Sequence, residues 1–198
     1  MFVLLVATFS LVTPGFFTMN IFYLHNEPKI CAEMHNDKHT VKMIIEYAQL
    51  MSTAHRLLDG VPYLDKTANG RSIKRWRLEG ENETVMMKAS HINHPSAVWT
   101  RSNRQNYNWL YCMWYYLCKE YTYRYEKIHA VEKRMSNALY LPPINIVSSE
   151  FFPPTPAMPD NVKVPGNSLA SYRNYYNRNK THLASWKNRP TPEWYQAI

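Results

Sequence analysis

The sequence predicts a mainly α-helical protein, a compact single-domain bundle with a short N-terminal strand and a small β-hairpin. Apolar residues recur at helical spacing over residues 30–58, and again in a long aromatic segment after Pro95. Of the 198 residues, 45% are hydrophobic and 19% are charged, a composition that excludes a disordered chain. A chain of this length buries about 70% of the surface of its unfolded form, which is enough for a substantial core.

Residues 1–18 (MFVLLVATFSLVTPGFFT) form an uncharged, largely apolar N-terminal extension. The segment lacks the basic start and the small-residue cleavage site of a secretory signal, and it is shorter than the ~20 apolar residues of a membrane span. Three interpretations stay open: an upstream start codon that makes Met19 the natural first residue, a weak signal or membrane anchor, and an added strand or helix. We expect residues 19–198 to form the single helical domain.

A short strand and a long helix are the first elements expected in this domain. Asn20–Leu24 (NIFYL) is typical of a short strand. Pro28 suits the first turn of a helix, because its missing N–H needs no partner there. Apolar residues at helical spacing predict one helix over residues 30–58, which Asp59-Gly60 ends. These apolar positions are Val41, Ile44, Ala48, Met51 and Leu58.

A β-hairpin is expected after this helix. Residues 62–70 have the composition of a loop. Ile73–Leu78 and Thr84–Ala89 alternate apolar and polar residues on either side of the turn-like sequence EGEN. The sequence therefore predicts that these two segments pair with each other.

A second helical region is expected after the Asn93-His94-Pro95 turn, beginning with a short helix over Ser96–Arg101. Ser102 is followed three residues later by Gln105, the signature of a capping box, and it predicts the start of a helix over residues 103–135. The stripe along this helix is aromatic and apolar: Tyr107, Leu110, Tyr111, Trp114, Leu117, Cys118, Tyr121 and Tyr125.

The C-terminal part of the chain is expected to contain less regular structure. Residues 141–165 are rich in proline and show neither helical nor strand periodicity, so a long loop is predicted. Ser168 predicts the start of a third helix. The tail over residues 188–195 contains two prolines, which disfavour helix in the residues before them, and it is expected to be extended.

Metal and disulfide sites are not indicated. Three cysteines cannot form a closed disulfide framework, which favours a reducing compartment. His35 and His39 are four residues apart, but a helical wheel places them beside Lys42 and Glu46, on the side expected to face solvent. HExxH, paired CxxC, a glycine-rich phosphate loop and GxSxG are all missing from the sequence. We therefore expect no obligatory metal and no cofactor.

Asp37 and His55 are the first candidate catalytic residues. The wheel places both on the apolar stripe of the first long helix. A buried carboxylate must be paired or hydrogen-bonded. Asp37 is therefore either a helix N-terminal residue stabilised by the helix dipole or a carboxylate at the mouth of the core. His55, followed by Arg56 near the C-terminus of the helix, is open to the same two interpretations.

The Asn93-His94 turn is a second candidate site. It either caps the following helix or directs two side chains at a ligand, with Arg101 and Arg104 one and two turns further along. We treat these two interpretations as equally supported.

Basic and aromatic residues alternate in Arg71–Arg77, Lys119–Lys127 and Tyr172–Lys180. Lysine and arginine together number 23 against 15 acidic residues, a net charge of +8. Positive side chains neutralise phosphates and aromatic rings stack on bases, so we expect DNA as the partner. An anionic cofactor, an acidic protein, or simply a solvated surface with core tyrosines are the alternatives. The residues expected to bind nucleic acid are Lys38, Arg56, Arg75, Trp76, Asn93, Arg101, Arg104, Tyr123 and Arg124.

From Met19 onward the layout resembles small proteins carried by tailed bacteriophages, which share stretches like DKHTVKMIIEYAQLMSTAHR, NHPSAVW and KEYTYRY. More distantly, the order of features is similar to that of the pyrimidine dimer DNA glycosylases. Those are compact helical proteins with a short N-terminal segment, an acidic residue on the first helix, an N-H-P-like turn, a long helix and a tail rich in Trp and Tyr.

The glycosylase resemblance implies a specific chemistry. In that family the N-terminal α-amine attacks the sugar C1′ and forms a Schiff base, while a helix carboxylate stabilises the developing sugar cation. Carried over, the amine belongs to Met19, or to Asn20 if Met19 is removed, the carboxylate is Asp37, and His94 lies in the turn. The family has Glu next to Arg where this chain has Asn36-Asp37-Lys38. An α-amine has a pKa near about 8, so part of it is neutral and nucleophilic at pH 7.

Three functions therefore stay open: a DNA glycosylase, lyase or other base-modifying enzyme; a non-catalytic module that binds nucleic acid or a protein; and a phage enzyme for a small anionic substrate. The first two place the protein in the cytoplasm of an infected bacterium. Export or membrane anchoring is expected only if residues 1–18 act as a signal or anchor. The oligomeric state is left open by the sequence.

Overall fold

The computed structural model describes residues 19–196, and their fold is mainly α-helical. The expectations for residues 1–18 lie outside the described residues. The helices are α1 (Pro28–Glu33), α2 (Asp37–Asp59), α3 (Asn82–Val85), α4 (Pro95–Ser102), α5 (Arg104–Tyr125), α6 (Ala130–Tyr140) and α7 (Ser168–Asn179). Two strands, β1 (Val61–Lys66) and β2 (Ser72–Arg77), form an antiparallel hairpin between α2 and α3. Short 3₁₀ turns occur at Asp160–Val162 and Thr181–Leu183.

The single helix predicted over residues 30–58 is two helices. The break lies between Glu33 and Asp37, where the Asn36 side chain accepts a hydrogen bond from the His39 N–H (2.9 Å) and starts α2. The predicted end at Asp59-Gly60 is confirmed. A Cβ at Gly60 would lie 2.4 Å from the Arg56 carbonyl oxygen, so only glycine fits where the chain leaves the helix.

The segment from Asn20 to Leu24 is buried but does not pair with a strand in the described part of the chain. Its neighbours are helices, so its N–H groups bind side chains. The Phe22 N–H donates to the Tyr47 hydroxyl (3.1 Å), and the Leu24 N–H donates to the Cys31 sulfur (3.3 Å). The predicted strand is therefore an extended core segment.

The hairpin forms between different segments than expected. Ile73 to Arg77 is a strand, as predicted, but its partner is β1, which lies in the expected loop. Pro62 argued against a strand here, because proline disfavours central strands. It is tolerated in β1 because both strands of a two-stranded sheet are edge strands. The segment expected to be the second strand, residues 84–89, instead contains the end of α3 and irregular chain.

The helix predicted over residues 103–135 is also two helices. Helix α5 ends at Glu126, which has a left-handed backbone (φ 56°), and His129 caps α6. The caps of α5 and α7 are Asn103 and Asn167, each one residue away from the predicted serine. The Pro-rich stretch over residues 141–165 is irregular apart from one 3₁₀ turn, close to the prediction.

The core lies where α2, α5 and the segment 19–24 meet. Trp114 and Trp99 are buried, and each satisfies its indole N–H with a carbonyl, that of Ile44 (2.9 Å) and that of Phe152 (2.8 Å). Full burial of such a side chain contributes about 1.5–3 kcal/mol. The second of these bonds fixes the Pro-rich stretch to α4.

Candidate functional site

Helix α2 is covered on two sides, and this determines the role of its polar residues. The expectation that His35 and His39 face solvent is wrong, since both imidazoles are buried. The covering residues are Phe22, whose ring stacks on His39 (4.1 Å between centroids), and Tyr176, whose hydroxyl lies 2.6 Å from His39 Nδ1. Val41, expected in the core, is exposed.

The buried His35 belongs to a neutral hydrogen-bond chain. The Phe22 N–H donates to the Tyr47 oxygen, the Tyr47 hydroxyl lies 2.9 Å from His35 Nε2, and His35 Nδ1 lies 2.8 Å from the Cys31 carbonyl. The carbonyl can only accept, so Nδ1 carries the proton. Burial lowers the pKa of His35 to about 4. This imidazole is a structural link between the N-terminal segment, α1 and α2.

Asp37, the expected site carboxylate, is occupied by protein partners. Its Oδ1 accepts from Arg124 Nη1 (3.0 Å) and from the Lys187 N–H (2.9 Å), and its Oδ2 accepts from Ser185 Oγ (2.5 Å). It is the first residue of α2, where the helix dipole favours a negative charge. The geometry matches the interpretation of Asp37 as a helix N-terminal residue that joins α2 to α5 and the tail.

Behind Asp37 lies a buried ionic network, here called the Arg124 network. Arg124 donates to Glu120 Oε1 (2.7 Å) as well as to Asp37, and Arg189 donates to Glu120 Oε2 (2.8 Å) and lies 3.3 Å from Glu33. Arg124 also donates to the carbonyls of residues 33 and 35. These hydrogen bonds of the Arg124 guanidinium all go to acceptors of the protein itself, and the side chain is not exposed. The expectation that Arg124 binds phosphate does not fit this burial.

Arg56 is buried in the same way at the other end of α2. Its guanidinium donates to the carbonyls of Trp76, Glu83, Met86 and Met87 and to the Glu83 carboxylate (2.7 Å). It therefore joins α2 to the base of the hairpin and to α3. The expectation that Arg56 binds nucleic acid is contradicted by these internal contacts.

His55, an expected catalytic residue, also lies in the core. Its Nε2 is 2.8 Å from the Tyr107 oxygen, and the Tyr107 hydroxyl donates to the Leu139 carbonyl (3.0 Å). Burial lowers the pKa of His55 to about 4, although the nearby Asp59 opposes this shift. His55 links α2, α5 and α6.

The Asn93-His94 turn caps helix α4. His94 Nδ1 accepts from the Ser96 N–H (3.2 Å), which matches the capping interpretation. Burial and the neighbouring His91 lower the pKa of His94. Asn93 is exposed, whereas Arg101 is half-buried, and its Nη1 finds no hydrogen-bond partner among residues 19–196.

The other residues expected to bind nucleic acid are spread over the surface. Lys38 is exposed and Arg104 is half-buried. Tyr123 is exposed, its hydroxyl donates to the Asn188 carbonyl (3.0 Å), and the Arg189 guanidinium lies over its ring (4.7 Å). These residues belong to different elements: Lys38 lies in the first turn of α2, and Arg104 and Tyr123 lie at opposite ends of α5.

Two acidic residues, Glu46 and Glu132, have a buried carboxylate oxygen with no hydrogen-bond partner among the described residues, and Glu46 is the one whose pKa is raised by burial. Its side chain is 13% exposed, its Oε1 pairs with Lys42 Nζ (2.9 Å), and its buried Oε2 has no hydrogen-bond partner among the described residues. Burial raises the pKa of Glu46, while the positive charges of Lys42 and Lys180 and the imidazole of His91 oppose the rise. We call Lys42, Glu46, His91 and Lys180 the Glu46 cluster.

The chain from Met19 to Leu24 begins beside this cluster. The Phe22 ring lies between His39 and Tyr175, and Lys180 lies over the Tyr175 ring (4.8 Å). Asn20 is two residues before Phe22, which places their Cα atoms within about 7 Å of each other. Asn20 is fully buried, and its side-chain amide has no partner in the described part of the chain.

A basic cleft of about 670 Å³ lies beside the Glu46 cluster. It is lined by residues 73–76 of β2 and by residues 89–92, so Arg75 and Trp76 contribute to the same cleft as His91. Two of the residues expected to bind nucleic acid therefore line the same cleft as one residue of the Glu46 cluster. Met19, the expected nucleophile, is also buried at the start of the described chain.

Glu46 was missed because the wheel assigned its side of α2 to solvent. The wheel correctly placed His39, Lys42 and Glu46 on one side of α2. Nothing in the sequence indicated that residues 19–24 and α7 cover this side. The available signal was Lys42 followed four residues later by Glu46, a pair more often found on exposed helices. His91 and Lys180 are distant in sequence and could not have been assigned to this site.

Within residues 19–196, no group of three or more His, Cys, Asp or Glu is arranged to hold a metal ion, and none of the helices is both long and apolar enough to cross a membrane. Comparison of the chain with protein-family models, with curated protein sequences and with solved structures found no match.

Proposed function

We propose that this is a phage-borne, DNA-acting enzyme that cleaves the bond between a pyrimidine base and its sugar, with Glu46 as the site carboxylate. The observation that carries the proposal is the Glu46 cluster: a nearly buried carboxylate with one unoccupied oxygen, three basic residues around it and a basic cleft beside it. A carboxyl with a raised pKa in a cleft is a typical general acid or base.

Glu46 fits the chemistry better than Asp37. A carboxyl whose pKa is raised binds a proton more readily than an ordinary glutamate, so it can give a proton to the departing base and then stabilise the cationic sugar as a carboxylate. Both carboxylate oxygens of Asp37 instead accept hydrogen bonds, from Arg124, Ser185 and the Lys187 N–H. The role that the glycosylase resemblance gave to Asp37 therefore passes to Glu46.

The nucleophile in this proposal is the α-amine of a chain that starts at Met19 or Asn20. Its nitrogen attacks C1′, and the base leaves with a proton from Glu46 while the nitrogen gives one up. The C1′–O4′ bond of the sugar then opens, the second proton of the nitrogen is lost, O4′ is protonated, and a C1′ imine forms. That imine is either hydrolysed or carries strand cleavage at the sugar. The stacking of Phe22 between His39 and Tyr175 supports this placement, since Lys180 of the Glu46 cluster lies over the Tyr175 ring.

Borohydride trapping tests the proposal. Protein starting at Met19 and the full chain are mixed with labelled duplexes that carry an abasic site or a thymine dimer, and the imine is reduced to a stable amine adduct. We expect an adduct with the chain starting at Met19, and a loss of its rate of formation by about 10²–10⁴-fold in Glu46→Gln, the typical contribution of general acid–base catalysis. Asp37→Asn is the matched control and should retain most of this rate.

An adduct formed equally fast by wild type and Glu46→Gln would remove Glu46 from the mechanism. An adduct that survives blocking of the α-amine would assign the nucleophile to a lysine, and Lys42 and Lys180 would be the residues to replace. No adduct on any duplex would reject the lyase chemistry.

A second candidate is an enzyme or binding protein for a small anionic molecule. The observation in its favour is a separate cleft of about 590 Å³ between α1, α7 and the tail, in which the Arg173 guanidinium lies over the Trp194 ring (5.2 Å). Its test is thermal stabilisation by nucleoside mono- and diphosphates, with Arg173→Gln as the variant that should abolish the shift.

A further inference from the structure

The β1–β2 hairpin extends from the body of the protein as an arm. Its attachment is at its base, where Arg56 donates to the Trp76 carbonyl (2.8 Å) and where Gly60 lies against the Trp76 Cβ. Further out, Leu64 is 80% exposed, and the face that carries Leu64, Lys66 and Lys74 is open, whereas most residues of the opposite face are half-buried. A free two-stranded hairpin is at best marginally stable in water, so an arm of this kind is expected to have a partner.

The arm carries a large share of the positive charge. Residues 61–77 contain five cations and one acidic residue, Asp65, a net charge of 5 − 1 = +4, whereas the whole 198-residue chain has +8. The exposed cations are Lys66, Arg71, Lys74 and Arg77. This charge is complementary to a polyanion.

The cations of the arm are held in place by neighbouring side chains. Arg77 lies over the Tyr63 ring (4.8 Å), Lys74 lies over the Trp76 ring (5.5 Å), and Arg75 pairs with Asp65 (3.1 Å). These contacts fix the side chains on both faces of the ribbon. Because these side chains are already ordered, less conformational entropy is lost when a partner binds.

We propose that this hairpin is a DNA-binding arm that enters the major groove of a duplex and places it over the Glu46 cluster. The major groove, about 12 Å wide, admits a two-stranded β-ribbon. Six residues per strand give a length of about 20 Å, which spans about six base pairs at 3.4 Å each. The cleft formed by residues 73–76 and 89–92 joins the arm to His91, so a duplex held by the arm lies against the site. This inference rests on the proposed function for its substrate, DNA, but on no chemical step at Glu46.

The test is the affinity of the full chain for a fluorescein-labelled 20-base-pair duplex between 50 and 200 mM salt. In the arm variant, Lys66, Arg71 and Lys74 are changed to Gln, and all three are exposed. In the control variant, the exposed Lys29, Lys127 and Lys187 are changed to Gln, which removes the same charge near the other end of α2. Far-ultraviolet circular dichroism and thermal midpoints check that both variants are folded.

We expect the arm variant to bind at least tenfold more weakly at low salt and its salt slope to fall by about 2.7, which is three contacts at about 0.9 each. The control should lose less than twofold. Equal weakening of the two variants, or none in either, would overturn the proposal. So would tighter binding of a matching single strand than of the duplex, because a major groove would then not be needed.

A second measurement requires no substitution. Amide hydrogen exchange of residues 61–77 should slow severalfold when wild-type protein is saturated with duplex, and unchanged exchange there would contradict the arm. Failure of the chemistry is distinguishable from failure of the arm, because affinity and hydrogen exchange are measured without any reaction at Glu46. No trapped adduct together with weaker binding of the arm variant would reject the chemistry and keep the arm.

Discussion

Two carboxylates on the same helix, Asp37 and Glu46, have opposite surroundings. Around Asp37 each charge has a partner, and the Arg124 network continues the pairing into α5 and the tail. Around Glu46 there is more basic than acidic charge, and one carboxylate oxygen has no partner in the described chain. A satisfied buried network stabilises a fold, whereas an unsatisfied group costs stability and is retained where a substrate completes it.

Removing Arg124 is the strongest test of the satisfied side. Arg124→Ala leaves Glu120 buried with one partner fewer and removes a donor from the main-chain carbonyls of residues 33 and 35, so the free energy of unfolding should fall by about 3–5 kcal/mol. Urea denaturation measures this. Arg178→Ala, at an exposed position, is the control and should stay within about 0.5 kcal/mol. A loss below about 1 kcal/mol for Arg124→Ala would show that the network is not essential to the fold.

Acid should destabilise the protein through its buried histidines. His35 and His55 have pKa values of about 4 when folded, below the ordinary value of 6.5, so the unfolded chain binds more protons between these limits. Stability is therefore fully present above pH 6.5 and falls as the pH drops towards 4. Between pH 7.5 and 5 each histidine should account for about 2 kcal/mol.

Urea denaturation at pH 7.5 and 5 checks this dependence. Glutamine in His55→Gln keeps a donor for Tyr107 but cannot titrate. The variant should therefore lose less unfolding free energy between the two pH values than the wild type, by the contribution of one histidine. An equal loss in the two proteins would mean that His55 is not held neutral in the folded state.

Asp37→Asn and Glu46→Gln should separate stability from activity. Asp37→Asn weakens charge-assisted hydrogen bonds and should cost about 1–2 kcal/mol of stability, with trapping activity retained. Glu46→Gln removes a poorly compensated buried charge and should leave stability unchanged or higher, while activity is lost. Unfolding free energies and trapping rates measured on the same two proteins decide this. The reverse pattern would return the carboxylate role to Asp37.

The smallest effect is expected at Lys42. Lys42→Gln should change stability by no more than about 0.5 kcal/mol, because Lys42 is half-exposed and its pair with Glu46 is of the i, i+4 type. Since Lys42 holds the pKa of Glu46 down, its removal should raise that pKa further. A carbon-13 titration of the Glu46 carboxyl measures the shift, with Lys38→Gln as the control.

The helical class and the end of α2 could be predicted because apolar spacing and Gly60 are local signals. The breaks before Asn36 and at Glu126 could not be found by periodicity, since aromatic and apolar residues continue on both sides of each break. The caps that cause them are single residues. Strand β1 was hidden by Pro62, and its pairing with β2 depends on which segment lies opposite.

The site could be predicted only in part. Arg75 and Trp76 stay a prediction as nucleic-acid-binding residues; the alternation of charge and aromatic rings that singled them out is visible in the sequence, and both line a cleft. Arg56 and Arg124 were not recognised as internal, because most acceptors of Arg56 and half of those of Arg124 are main-chain carbonyls that no side-chain pattern shows. Glu46 could be predicted as a site residue only from the knowledge that residues 19–24 cover α2, and that contact is a feature of the tertiary structure.

Arg56 has a mechanical consequence. A single guanidinium bonds the base of the hairpin and the chain at residues 83–87, and it is itself part of α2. The Arg56 guanidinium thus connects the helix that carries Glu46 to the base of the hairpin, and the hairpin extends about 20 Å from this connection. In the proposed complex, a duplex held by the hairpin would therefore act on α2 through the Arg56 guanidinium.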